Sequence, residues 1–205
     1  LKSFSNKQSV LVFPYVEDGV LVNEKFRMLP KEKFWQHRGR RKILWNVDCL
    51  DDPLVESGNA VVITEGELDA LAVIQCGFPL CVSVPDGAPP HIVGKVLNEE
   101  IDPEHDTKYG YIFNNWEALK GIRQIIIATD DDEPGRRLAE ELVRRLGRVR
   151  CLFISYPLGC KDLNEVLKAH GPEEVNRLLR DARPYPVSGI FTFSELPPEP
   201  ELCPL

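Results

Sequence analysis

Two short acidic runs each follow an apolar run, and that placement is what carboxylate chemistry needs. Val61-Val62-Ile63 leads into Thr64-Glu65-Gly66-Glu67-Leu68-Asp69, and Ile125-Ile126-Ile127-Ala128 leads into Thr129-Asp130-Asp131-Asp132-Glu133-Pro134-Gly135. Carboxylates crowded in this way repel one another and raise one another's pKa values unless cations neutralise them. Hard divalent ions with oxygen ligands, Mg²⁺ above all and Mn²⁺ beside it, suit such a cluster. A third fragment, Gly159-Cys160-Lys161-Asp162-Leu163-Asn164-Glu165, follows another apolar run and can bring Asp162 to the same rim. Each acidic group taken singly is also an ordinary helix cap, satisfying free backbone N–H groups and the helix dipole. Two groups after two strands point beyond capping. Asp162 with Glu165 three positions on forms an imperfect capping box, so both readings stay open there.

For the acidic runs to meet, the apolar segments before them must be neighbouring strands. Val61-Val62-Ile63, Leu80-Cys81-Val82, Ile125-Ile126-Ile127 and Cys151-Leu152-Phe153-Ile154 are apolar on both faces, as a parallel sheet covered by helices requires. After the third comes a helix with Leu138, Ala139, Leu142, Val143 and Leu146 on one face, closed by Gly147. Glu140 with Arg144 and Glu141 with Arg145 are spaced to pair on its exposed side. This alternation predicts an α/β domain over residues 59–186, a largely parallel, Rossmann-like sheet flanked by helices. In such sheets the functional crevice lies beyond the carboxyl ends of the strands, where both acidic runs fall.

Residues 1–58 read differently. Val10-Leu11-Val12-Phe13 and Val20-Leu21-Val22 flank the turn signal Glu17-Asp18-Gly19, predicting a smaller β-rich subdomain. Between Lys25 and Lys42 eight basic residues, Lys25, Arg27, Lys31, Lys33, Arg38, Arg40, Arg41 and Lys42, stand against the single acid Glu32, with Phe34, Trp35 and His37 interleaved. Such a run suits a track for single-stranded nucleic acid, and equally a solvated charged face. Residues 98–111 are acidic and turn-rich and predict a surface insertion, while residues 187–205, with Phe191 and Phe193, predict a linker.

The 205 residues, 43% of them hydrophobic, suffice for one sizeable α/β domain with a smaller appendage. A net charge of -7 means that contact with nucleic acid must come from a local patch. Six scattered cysteines without a CxxC pair argue against a zinc ribbon or a disulfide framework. They point to a reducing compartment, cytoplasmic for a bacterial or phage-derived protein and otherwise organellar. His91, His105 and His170 show no ligand spacing. No apolar run reaches the roughly 18 to 20 residues of a membrane span. The start at Leu1 without a methionine and the proline-rich end at Leu196-Pro197-Pro198-Glu199-Pro200 lead us to expect a piece of a longer polypeptide.

In order along the chain, Glu65-Gly66-Glu67-Leu68-Asp69, Asp130-x-Asp132-x-x-Gly135 and Cys160-Lys161-Asp162-Leu163-Asn164-Glu165 resemble the TOPRIM signature of phage-type primase-helicases and their Twinkle-like relatives. The likeness extends more loosely over residues 12–186, including Leu44-Trp45-Asn46. It implies a DNA primase core, a nucleotidyltransferase that makes RNA primers on single-stranded DNA from ribonucleoside triphosphates, with a replicative helicase domain in cis or trans. It implies Glu65 as general base or acid, or as support for the metal, and Asp130 and Asp132 as metal-binding aspartates. Glu67, Asp69 and Asp162 would add to the acidic rim, and Lys25, Arg27, Arg38, Arg40, Arg41 and Lys161 would contact nucleotide or DNA. The sequence has no amino-terminal zinc ribbon and no GxxxxGK(S/T) phosphate loop, so neither zinc nor a helicase motor is expected within it. A Mg²⁺-dependent nuclease and a non-catalytic nucleic-acid-binding module of the replication machinery are the alternatives on the same acidic fold.

Overall fold

A computed structural model of the chain describes residues 2–4, 8–30, 33–88 and 106–184. Lys31, His91, His105, most of the expected insertion at 98–111 and the expected linker at 187–205, with Phe191 and Phe193, lie outside the described residues. The fold class is the expected one: an antiparallel sheet at the amino terminus and a mostly parallel sheet flanked by helices.

The first sheet runs in the order β1 (Lys2–Phe4), β2 (Gln8–Glu17), β3 (Val20–Leu29), β4 (Lys33–Gln36), with every pairing antiparallel. Asp18 and Gly19 join β2 to β3 with φ values of 54° and 73°, the left-handed pair that a two-residue hairpin favours. Both of their N–H groups donate to the Asp48 carboxylate, at 2.9 and 3.2 Å, which docks the hairpin tip on the rest of the chain. The apolar runs at 10–13 and 20–22 are only parts of two ten-residue strands. Because side chains alternate along a strand, the basic run splits. Lys25 and Arg27 share a face with Phe13 and Phe34, while Phe26 points the other way and stacks on Trp35 at 5.2 Å.

Next come a 3-10 turn (Val47–Asp51), α1 (Pro53–Glu56), β5 (Val61–Thr64), α2 (Glu67–Gln75), β6 (Cys81–Ser83), α3 (Gly110–Asn114) and α4 (Trp116–Lys120). The chain continues through β7 (Ile125–Ala128), α5 (Glu133–Leu146), β8 (Cys151–Phe153), α6 (Leu163–His170), α7 (Pro172–Arg180) and β9 (Arg183–Pro184). The second sheet has the order β6-β5-β7-β8-β9, parallel except for the β8–β9 edge. Since β6 lies on one side of β5 and β7 on the other, the strand order reverses between β5 and β7, the place where open α/β sheets bind ligands.

Both faces of this sheet are covered. Val61, Ile63, Ile125 and Ile127 pack in one layer with Leu138, Leu142 and Leu146 of α5, and this layer also takes in Phe13 and Tyr15 of β2. Val62, Ile126 and Ala128 face the other layer, with Leu163 and Val166 of α6 and Val175 and Leu178 of α7. Each fully buried leucine contributes about 1.5–3 kcal/mol by area removed from water, so the α5 stripe holds that helix in place. Glu141 on α5 takes Arg145 as expected and also Arg144, at 3.6 Å. Asn115 separates α3 from α4, its Oδ1 accepting from Leu44 N at 2.9 Å and its Nδ2 donating to Glu17 at 3.1 Å. Among the described residues, no helix is long and apolar enough to cross a membrane.

Candidate active site

The carboxyl ends of β5 and β7 open onto one cleft of about 670 Å³, walled on the far side by Phe13, Lys25, Arg27 and Phe34 of the first sheet. Glu65 follows β5 directly and binds across the reversal point: its Oε2 accepts from the Asp130 N–H at 3.3 Å and its Oε1 from the Ala88 N–H at 3.0 Å. Burial raises the pKa of Glu65, the Asp130 charge adds to this, and the two N–H groups pull it back. Asp130 is likewise raised by burial, against the lowering effect of Lys161, whose ammonium sits 3.1 Å from its Oδ2. Lys161 is held there because its carbonyl accepts from the Asp131 N–H at 2.7 Å, fastening the loop before α6 to the loop after β7.

Asp162 lines the cleft and also caps α6, accepting from Glu165 N at 2.7 Å. Glu165 reaches back to Lys161 N at 2.9 Å, one residue ahead of a regular capping box, so capping and cleft lining coexist at this position. Asp69 on α2 is buried beside it and accepts from Asn164 N at 3.0 Å. Burial first, and the Asp162 charge second, push its pKa up to about 7.

Four expected site residues do other work. Glu67 borders the cleft but is buried, and its oxygens are taken by the Tyr15 hydroxyl and by Lys25 Nζ at 2.9 Å. The charge of Lys25, itself only 8% exposed, is therefore matched by Glu67 and ties β3 to the start of α2. Asp132 stands outside the cleft lining and caps α5, accepting from Gly135 N at 2.8 Å, though its charge still acts on Glu65 and Asp130. Arg41 is spent on Glu17 and on the Asn114 carbonyl at 2.6 Å. Arg27 and Lys161 do line the cleft, whereas Arg38 and Arg40 line a neighbouring trough of about 320 Å³.

Two charged cleft residues stand outside the motifs above. Asp86 follows β6 and accepts from Lys42 Nζ at 2.5 Å and from Gln36 at 3.2 Å. The signal was there, since Val84-Pro85-Asp86-Gly87 also ends a strand, but Pro-Asp-Gly reads first as a turn. Lys168 lies one helical turn beyond Asn164 on α6 and carried no motif.

A divalent cation fits this arrangement. Among the described residues no three histidine, cysteine or carboxylate groups gather into a ready cage. Mg²⁺ commonly takes only one or two carboxylates and fills its shell with water and substrate phosphates. Glu65 and Asp130, both with raised pKa values beside an open cleft, supply that kind of donor set.

Residues 59–155 match the family model described as the Toprim domain. The chain carries a Toprim domain. It is 44% identical over 192 residues to the Twinkle homolog protein, chloroplastic/mitochondrial, of Arabidopsis thaliana, a match covering 91% of this chain and 26% of that protein. It is also 44% identical over 183 residues to the Primase homolog protein of the same plant, covering 87% of this chain and 52% of that one. The chain thus spans about a quarter and about half of these two relatives. Among solved structures it resembles a chain of the bacteriophage T7 lagging-strand DNA polymerase assembly with primase domains bound to an RNA/DNA hybrid and dTTP. That likeness has a TM-score of 0.63 at 26% identity and covers 86% of this chain and 79% of that chain. The two plant relatives are named as a Twinkle homolog and a primase homolog, and the phage assembly contains primase domains.

Proposed function

We propose that this chain is the nucleotidyl-transfer core of a DNA primase, joining ribonucleoside triphosphates into RNA primers on a single-stranded DNA template. The observation that carries this reading is the 3.3 Å contact from the Asp130 N–H to Glu65, which joins two acidic strand ends in one open cleft. Glu65 and Asp130 would hold Mg²⁺ or Mn²⁺, with Asp162 beside them on the rim, and Glu65 would accept a proton from the attacking hydroxyl. Asp69 and Asp132 add negative field from behind, and Glu67 belongs to the scaffold. When bound, the cation neutralises charge on a triphosphate and lowers the pKa of the attacking hydroxyl. A carboxylate whose proton affinity is raised by burial is the stronger general base.

Lys161 serves as the counter-charge of Asp130 and would meet a substrate phosphate from there. Arg27 supplies a second phosphate contact from the opposite wall, and Arg38 and Arg40 hold the template backbone along the trough. The shares of the relatives left unmatched support further domains in the full protein, a replicative helicase in cis or trans among them. Of the two expected compartments we propose the organellar one, supported by the relative named for chloroplasts and mitochondria.

The test is incubation of the chain with ribonucleoside triphosphates, Mg²⁺ or Mn²⁺ and single-stranded DNA. Short RNA products are expected, reduced by about 100-fold or more in Glu65→Gln, the scale on which a lost general base acts. Full synthesis by Glu65→Gln would reject the assignment. Cleavage of the DNA without nucleotides would identify a nuclease instead.

A further inference from the structure

Phe34 stands where the acidic cleft and the basic trough meet, lining both. It lies on β4, the edge strand of its sheet among the described residues, and is 50% exposed. Lys25 Nζ and Arg27 Cζ approach its ring to 5.5 and 5.2 Å, and both come from β3, so the cations cover the inner side. No described strand follows β4 to cover the outer side. Its neighbour Trp35 is different, because it is already stacked on Phe26 through the opposite face of the sheet.

We propose that the open side of the Phe34 ring is a stacking platform for an unpaired nucleobase. This rests on the nucleic-acid reading above and adds the residue that receives the base. A large apolar ring left half in water at the junction of two cavities that both hold charged side chains gains from being covered. An aromatic ring next to cations suits a nucleotide on both counts, because the base stacks while its phosphate meets the positive charge. Arg27 lies on the cleft side of Phe34, and Arg38 and Arg40 on the trough side. A strand whose phosphates follow these cations passes Phe34 at the turn between them.

A purely structural Phe34 would shield the buried Lys25–Glu67 pair from water, and leucine would do that nearly as well. The test therefore compares the chain with its Phe34→Leu and Phe34→Trp variants. Each is titrated with a single-stranded oligonucleotide carrying 2-aminopurine and, separately, with ATP, reading anisotropy, 2-aminopurine emission and ATP affinity. Base–aromatic stacking of about 1–3 kcal/mol corresponds to roughly 5- to 150-fold in affinity. Phe34→Leu is expected to lose affinity within that range and to lose the emission change, while Phe34→Trp keeps both. Loss confined to ATP assigns the base to a mononucleotide, and loss with the oligonucleotide assigns it to a strand. Unchanged binding and emission in Phe34→Leu overturns the platform while leaving the function standing. A wild-type chain that binds neither probe overturns both. If Phe34→Leu does not fold, the wild type decides: oligonucleotide binding without an emission change overturns the platform.

Discussion

Gly135 lies against the backbone of Asp130 so closely that a Cβ built on it would stand 2.1 Å from the Asp130 carbonyl oxygen. The first turn of α5 is folded back onto the end of β7, and only a hydrogen fits between them. The glycine that closes Asp130-x-Asp132-x-x-Gly135 is thus a matter of space, since its position inside the helix needs no unusual dihedral. The contact fixes where the Asp130 backbone sits and, through its N–H, where Glu65 points.

Gly135→Ala should therefore lower stability by about 1–3 kcal/mol, the usual range for overpacking. Alanine is the better helix former by about 1 kcal/mol, so propensity alone predicts the opposite sign. Urea unfolding of the variant separates the two.

Lys25→Met should cost about 3–5 kcal/mol, because it leaves Glu67 charged and buried without its partner. Adding Glu67→Gln to that variant should recover a large part of the loss. A double-mutant cycle by chemical denaturation reads the coupling; additive single losses would show that the pair does not join the first sheet to α2.

Asp69 predicts an inverted pH dependence in the absence of divalent ions. Its pKa is raised from 3.8 to about 7, so between those values the folded chain holds a proton that the unfolded chain has released. Stability from this group is present below pH 3.8, falls as pH rises towards 7, and levels off above it. Asp69→Asn, which can still accept from Asn164 N, should melt at the wild-type temperature near pH 4 and a few degrees higher at pH 8. Melting curves in chelator across this range give the answer, and a constant difference would contradict the buried carboxyl.

Binding of single-stranded DNA should fall with salt, and Arg38→Ala or Arg40→Ala should each reduce the slope of log K against log salt by about 0.7. Arg41→Ala should leave the slope alone and lower the melting temperature, because that guanidinium already serves Glu17 and Asn114. A slope change in Arg41→Ala instead would place the DNA path elsewhere.

The meeting of Glu65 with Asp130 was legible in the sequence because each residue comes just after a short apolar run, and parallel neighbours put their carboxyl ends on one edge. The β2–β3 hairpin was legible in Asp18-Gly19. The Lys25–Glu67 pair was not, since it joins residues 42 positions apart and depends on how one sheet docks on the other. Arg41 and Arg38 look alike in a basic run, and only the neighbouring Glu17 and Asn114 tell them apart. Asp132 follows the same strand as Asp130, but the start of α5 claims its carboxylate as a cap. Local pattern thus located the cleft, while long-range packing decided which charges face into it.

The most direct test is calorimetric titration of Mn²⁺ into the metal-free chain and its Glu65→Gln and Asp130→Asn variants. If β5 and β7 build one divalent-ion site, the wild type binds and each substitution weakens binding by about tenfold or more, though the residues stand on different strands. Wild-type affinity in either variant would contradict a shared site.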